Sequence, residues 1–563
     1  MTGNQPAQKL AKKLEILDST MRERTFGVSF SVGEKLAIAS LLDSLGVAFI
    51  ESPSPSKNPK ETEYLKQIWD VLKRGTEPVV FLSNYPVTKV DEEGEIPENI
   101  KYASVRANCW QSHLTEVFTH KKLDPEENIK QLRHSITLLR QKGKEVLVYA
   151  SHFFDGFFED TAYSLSILET AVESGASRVV LVDSRGVALP DQVSKAVKLV
   201  QSHFADKNVI LGIHCHNDLG LAVANTLAAV QAGARHVQGT INGMGERSGN
   251  ADLCQLLPIL VLKQGYDALN SPLPKDQQLV SLKAVSAKVA QASGVEIPMQ
   301  PFVSDMAYSH SDPFHIADVS SAPETYEVIN PAQVGNSRKL GVDDASLILA
   351  EMWELGLYTK NREEVARKVL ARMREMEAAG YKFDNAKASV HLLILETLGF
   401  AIWPFKVTRW EISTVRTIEK SAEVSGTIEV SIGEEGKKVT GSAKGVGPIH
   451  AIDLALKKCL DSEFPELKSL KLTSYALNIV DSISGTAAAA RARTEFADQD
   501  VGYAGALPTT TWATTAVSED VLDASIKALI DGYRYKLIFR TKDQKYTLPD
   551  WKVALGWRYS EKC

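Results

Sequence analysis

VLVYAS (146–151), VVLVDS (179–184), VILGIH (209–214) and HVQGTI (236–241) are short apolar, β-branched runs separated by polar loops and stretches with helical periodicity. Strands that alternate with helices imply parallel pairing through right-handed crossovers. Toward the N-terminus the pattern recurs in LEIL (14–17), VAFIE (47–51), PVVFL (78–82) and YASVR (102–106), with helical stretches such as VGEKLAIASLLDSLG between them. A doubly wound open sheet has the same local pattern. Eight repeats within residues 1–270 favour a closed (β/α)8 barrel, the TIM-barrel form of the α/β class.

At 563 residues the chain is too long for one ordinary domain. Residues 271–405 read as a helical subdomain, in which QLVSLKAVSAKVAQASG and REEVARKVLARMREMEAAG present core faces at helical spacing. Residues 406–563 read as an α+β domain with an internal repeat. TIEVSIGEEGKKVTGSAKGVGPIHAIDLALKKCL gives two strands, a Gly-Pro turn and a helix, and the stretch ending in TWATTAVSEDVLDASIKALIDGYRYKLI repeats that order. Hydrophobic residues at 44% and charged residues at 24% exclude a disordered or low-complexity chain. A net charge of −6 supplies no basic face, so nucleic acid is not an expected partner. Five scattered cysteines without a CxxC argue against a disulfide framework and for a reducing compartment. Neither a signal-type N-terminus nor a run of about 18 apolar residues is present, so the expectation is a cytoplasmic protein with no membrane partner.

Barrel chemistry gathers at the C-terminal ends of the strands. Residues there are Asp18 with Arg22 and Glu23, Glu51, Asn84, Arg106 with Asn108, Ser151 with His152, Asp183 with Ser184, His214 with His216, and Asn242 with Asn250. The sharpest signal is GIHCHND (212–218). In an extended strand, residues two apart share a face, so both imidazoles can reach one cation. Tight turns in the Gly-rich NGMGERSGNADL (242–253) would bring Glu246, Arg247 and Asn250 to the same rim.

LDSTMRERTFGVSFSVGEKLAIA (17–39) and residues 212–253 resemble the Claisen-condensing members of the DRE-TIM metallolyases, the 2-isopropylmalate, homocitrate and citramalate synthases. WQSHLTEVF (110–118), ASHFFDGF (150–157) and PETYEVINPAQVGN (323–336) are most similar to the citramalate branch. The resemblance implies Glu23, His214 and His216 as ligands of a divalent metal (Zn²⁺, Mn²⁺ or Mg²⁺), with Asn250 at or beside the shell. It implies that Arg22 polarises the keto oxygen of a small 2-keto acid, pyruvate first, that Ser184 holds the substrate carboxylate, and that acetyl-CoA is the co-substrate. Arg106 and His113 join the substrate-binding set. FVSDMAYSHSDPFHIADVSSAPETYE (302–327) aligns His310 and His315 with a family segment that can complete a neighbouring subunit's active site, and the second histidine is implicated in the base relay. Residues 445–460 and 481–493 resemble the leucine/isoleucine-sensing domain that dimerises and binds an end-product amino acid. Its regulatory positions here are Gly445, Gly447, Pro448, Asp481, Gly485, Thr486 and Ala487, and the expected assembly is a homodimer or higher oligomer.

The rim departs from the family pattern. Arg24 replaces a glycine, Phe26 a glutamine and Asn108 a lysine, and Arg185, Val187 and Ala188 replace small polar residues. The glycine before His315 is replaced too, giving Pro313–Phe314. Ser151 stands where the citramalate branch has a glutamate implicated in catalysis. The base role then falls to a histidine, His152 or His315, whose imidazole pKa suits it. Three alternatives stay open: a 2-isopropylmalate or other 2-alkylmalate synthase with a larger keto acid, a carbon–carbon lyase, and a catalytically impaired pseudoenzyme whose C-terminal domain senses an amino acid.

Overall fold

Eight parallel strands close on themselves in the structure, a computed structural model that describes residues 13–539 apart from 56–57, 83–95, 118–123, 298, 341–344, 356, 358–360, 384–385, 400–402, 418–419, 434–435, 481–484 and 499–510. The strands are β1 (Glu15–Asp18), β2 (Phe49–Pro53), β3 (Glu77–Phe81), β4 (Tyr102–Asn108), β5 (Glu145–Ser151), β6 (Arg178–Asp183), β7 (Ile210–Cys215) and β8 (His236–Gly239). Each pairs with its sequence neighbour, and β1 pairs with β8 to close the barrel. All eight apolar runs of the sequence fall on these strands.

The strands are apolar because both faces are covered. Outward residues such as Ile16, Ile50, Val80, Val148 and Ile213 pack with helix residues such as Ile38, Leu42, Leu139, Ile167 and Val197 in one large core. Inward residues Leu17, Phe49, Val79, Leu147, Tyr149, Val180 and Val182 form a second cluster that fills the barrel. Helix ends are set locally: Ser31 and Glu34 cap Val32–Leu45 reciprocally, and Asp124 caps Pro125–Gln141.

The chain divides into two compact units, residues 1–309 with 318–338, and residues 310–317 with 339–563. The segment expected to be helical is shared between them: Leu282–Ser293 lies in the first, while Ala345–Glu354, Arg362–Ala378 and Lys387–Thr397 lie in the second. The α+β repeat is present with three strands per copy rather than two. One antiparallel sheet is Phe405–Thr417, Lys420–Ile432 and Lys437–Gly445, followed by helix Pro448–Leu460. The other is Leu470–Ile479, Ala490–Asp498 and Thr511–Ser518, followed by helix Val521–Phe539. Both copies contribute to one core through Ile428, Leu456, Phe496, Trp512 and Tyr533.

Candidate metal centre and active site

Side chains from β1, β7 and the loop after β8 meet at the C-terminal mouth of the barrel. The ligand atoms of Glu23, His214 and His216 all lie within 4.8 Å of one another. His214 and His216 reach the same place because the strand period is two. Asn250 is placed by a backbone bridge to His216. Gly245 makes that loop possible: with φ +151°, a Cβ there would sit 2.1 Å from Asn250 Nδ2.

A hydrogen-bond chain running up the barrel interior determines which ring nitrogen of His214 faces the site. Gln238 Oε1 lies 3.1 Å from His214 Nδ1, and Gln238 Nε2 lies 3.2 Å from His236 Nε2. An amide oxygen can only accept, so His214 carries its proton on Nδ1. Its Nε2 lone pair then faces Glu23 Oε1, 3.6 Å away. Burial, followed by the nearby His216 and Arg22, holds His214 well below the usual imidazole range. His216 is also lowered, chiefly by burial and against the pull of Glu23. Two neutral imidazoles and a carboxylate suit a divalent cation. Among the described residues, His216 Nδ1 and Asn250 Oδ1 are buried without a hydrogen-bond partner, as groups facing a cation would be. The residues therefore fit the metal that the sequence implied.

Arg22 sits between two carboxylates. Its Nη1 is 2.6 Å from Glu23 Oε1, and its Nε donates to Glu51 Oε2 at 2.6 Å. The guanidinium also lies over the rings of Phe81 and Tyr149. Glu51 is fully buried and accepts two further bonds, from Ser104 Oγ at 2.7 Å and from Tyr149 Oη. Burial lowers the Arg22 pKa, but Glu23 and Glu51 outweigh it, so the net shift is upward. Below them, Asp18 accepts from Thr20 N and Oγ1, and Thr20 Oγ1 in turn accepts from Ile241 N, which ties the loops after β1 and β8 together. Burial pushes the Asp18 carboxyl up to about 7 against those hydrogen bonds.

The rim over β4 to β6 carries a second group of candidates. His152 ends β5 in the left-handed region, φ 55°, a strained conformation for a residue with a side chain. Its ring lies 4.3 Å from that of His113 and 5.6 Å from that of Trp110. Its Nδ1 is 3.4 Å from Asp155, which also pairs with Arg185 at 3.0 Å. His152 N donates to Ser184 Oγ at 2.7 Å, which leaves the Ser184 hydroxyl proton available for an acceptor such as a carboxylate. His113 Nδ1 is 2.6 Å from Asn108 Nδ2. Burial, then His152 and Arg106, lower its pKa. Ser151 is half-buried at the end of β5.

Arg247 stays at the rim, where it donates to Ser184 O at 3.0 Å and pairs with Asp218, whereas Glu246 is exposed. Arg24 and Phe26 are exposed. His315 is exposed on helix Pro313–Ser321, within the part of that helix assigned to the second unit. Asn84 and Asp481 lie outside the described residues. Among the other regulatory positions, Gly445 is explained by packing, since a Cβ there would sit 2.5 Å from Ala451 N. Gly447 and Pro448 open helix Pro448–Leu460, and Gly485, Thr486 and Ala487 form a 3₁₀ turn. The sequence reading assigned no role to Gln238, Tyr149 or Ser104. A glutamine inside the apolar run HVQGTI was the one available signal, because a buried amide must find partners.

A closed (β/α)8 barrel with a carboxylate and two neutral imidazoles converging at its mouth is the arrangement of a barrel enzyme with a candidate metal centre. Residues 13–287 match the HMGL-like family, and residues 385–537 match the LeuA allosteric (dimerisation) domain. An (R)-citramalate synthase of Sulfolobus acidocaldarius is 36% identical over 538 residues, which span 93% of this chain and 97% of that protein. One from Aquifex aeolicus is 35% identical over 94% of this chain and 98% of its own length. A 2-isopropylmalate synthase of Lactococcus lactis subsp. lactis is 29% identical over 83% and 87%. The chain belongs to the acyltransferase family that contains the citramalate and 2-isopropylmalate synthases. Among the described residues no helix is long and apolar enough to cross a membrane.

Proposed function

We propose that the chain condenses acetyl-CoA with a small 2-keto acid in a metal-dependent Claisen reaction, followed by hydrolysis of the thioester. The observation that carries this reading is the convergence of Glu23, His214 and His216 beside an Arg22 clamped between Glu23 and Glu51. A divalent cation held by Glu23, His214 and His216, with Asn250 adjacent, would supply Lewis acidity toward the keto acid. Arg22 places fixed positive charge where the keto oxygen gains negative charge. Ser184 offers its hydroxyl proton to the substrate carboxylate. A base removes a proton from the acetyl methyl, and the resulting carbanion attacks the keto carbon. The alkoxide takes up a proton, and water then splits the thioester to release free CoA. His152, steered by Asp155 and set against His113, is the candidate base, and His315 is the alternative that the family resemblance supplies.

Pyruvate is the first acceptor to test, because the full-length relatives include (R)-citramalate synthases. A larger keto acid is the second reading, favoured by the replaced rim residues Arg24, Phe26, Asn108 and Ser151. The LeuA-type domain supports a homodimer or higher oligomer with isoleucine or leucine as feedback effector. The expected location is the cytoplasm.

The test is thiol release from acetyl-CoA against a panel of 2-keto acids, with and without added Zn²⁺, Mn²⁺ or Mg²⁺. Metal-dependent release with one acid supports the synthase. Bound metal with no release for any acid would instead support a pseudoenzyme sensor or a lyase.

A further inference from the structure

The loop that carries Asn250 is held by residues that come after the barrel. It leaves β8 at Thr240 and returns at Asp252, where the two limbs meet in a backbone bridge, and its tip, residues 246–248, is exposed. On the returning limb Ala251 N donates to Cys215 O at 3.0 Å and Leu253 N to Thr240 O at 2.9 Å.

Each limb is also tied by a side chain from farther along the chain. On the outgoing limb Asn242 takes the left-handed region, φ 61° and ψ 17°, and Ser286 holds its amide on both sides. Asn242 Nδ2 donates to Ser286 O at 3.0 Å, and Asn242 Oδ1 accepts from Ser286 Oγ at 2.6 Å. On the returning limb the buried Asp252 accepts from Gln300 Nε2 and, at 3.0 Å, from Gln255 Nε2, while it caps helix Leu253–Leu257 through Cys254 N. The ties to Ser286 and Gln300 span 44 and 48 residues, so neither is local.

One helix braces both ties. Lys283 and Ser286 stand three apart on Leu282–Ser293 and share a face. Lys283 Nζ donates to Asp305 Oδ1 at 2.7 Å and to Asn336 Oδ1 at 2.8 Å. Asn336 Nδ2 in turn donates to Phe302 O at 3.0 Å and to Ser304 O at 2.9 Å. Phe302 is left-handed, φ 66°, so the chain just after Gln300 is bent and pinned. All of these residues belong to the first unit.

Asn250 lies two residues before Asp252 and bridges His216, so a shift of either limb moves it relative to that imidazole. We propose that Ser286 and Gln300 are positioning residues that hold the two limbs of this loop and so set Asn250 against His216. Outer groups of this kind fix ligand geometry without touching the ion. The proposal rests on the reading of the barrel mouth as a metal centre.

The test is calorimetric binding of Zn²⁺, Mn²⁺ and Mg²⁺ to the full chain and to Gln300→Ala, Ser286→Ala and Asn242→Gly. Asp43→Asn serves as a control for stability, because Asp43 accepts from Lys73 N, Arg74 N and Thr76 N ahead of β3, at the barrel floor. Gln300→Ala and Ser286→Ala should each lower the affinity of the bound metal roughly tenfold or more. Asn242→Gly should do the same, although glycine adopts that φ without strain, and a backbone role alone would leave affinity unchanged. Asp43→Asn should lower the melting temperature and spare metal affinity. Unchanged affinity in Gln300→Ala and Asn242→Gly would overturn the proposal, as would an equal loss in Asp43→Asn. If the wild type binds none of the three ions, the metal reading fails, and hydrogen exchange decides the positioning. Faster exchange of the Asn250, Ala251 and Leu253 amides in Gln300→Ala and Asn242→Gly supports it, and exchange equal to the wild type overturns it.

Discussion

The two ends of the barrel interior use similar residues in opposite ways. At the floor, Glu15 accepts two bonds from Arg178, at 2.6 and 2.7 Å, and lies 3.2 Å from His236 Nδ1. Arg178 also covers the rings of Phe49 and Tyr102. Every charge in that group has a partner. At the mouth, among the described residues, the buried His216 Nδ1 and Asn250 Oδ1 have no hydrogen-bond partner, and Glu23 is shared with Arg22. Buried polar groups that are fully paired hold a structure together, whereas those left open mark where a ligand completes the set. Gln238 joins the two ends, with its amide nitrogen toward His236 and its oxygen toward His214.

Substitutions at either end can break this contrast. His216→Ala should abolish metal binding and lower thiol release by at least about 10³-fold, while thermal unfolding moves by only a few degrees. A large loss of melting temperature instead would show that the mouth is structural. At the floor the pattern should reverse. Arg178→Met strands Glu15 and should cost about 3 kcal/mol in denaturant unfolding, with metal content unchanged. Gln238→Leu lies between the two: metal affinity should fall roughly 10–100-fold because His214 loses the group that fixes its tautomer, with the circular dichroism spectrum intact. Unaltered affinity would show that the link between the ends does no positioning.

The smallest effect is a pH dependence. Burial raises the Glu15 carboxyl, but hydrogen bonds and charge from His236 and Arg178 outweigh it and bring the group from 4.5 to about 2. The unfolded chain therefore takes up this proton first as pH falls. The stabilisation is complete above about 4.5 and is lost as pH drops toward about 2. Urea midpoints measured across that window should fall more steeply for the wild type than for Glu15→Gln. Identical slopes would show that the floor ion pair carries no such linkage.

The eight strands were legible because burial on both faces forces near-continuous apolar runs. The meeting of the three candidate ligands was legible for a related reason: His214 and His216 lie two apart at a strand end, and Glu23 follows the first strand. The support beneath them was not. Glu51 meets Ser104, Tyr149 and Arg22 only because β1, β2, β4 and β5 are curled into one barrel, and no local pattern encodes that meeting. Gln238 needs the β7–β8 register to reach His214. The outer strand Phe405–Thr417 of the first repeat turns Phe405, Val407, Trp410 and Ile412 to the core, but a register shift between Val407 and Arg409 breaks the two-residue period of its sequence, and only two strands were read there. Ser151 and His315 were named from the resemblance, and their roles stand as proposals.

The most direct measurement of the central claim is elemental analysis of the purified chain beside Glu23→Ala and His216→Ala, after dialysis against a defined divalent cation. The account predicts about one equivalent per chain in the wild type and a near-complete loss in both variants. Full metal content in the variants, or none in the wild type, would contradict it.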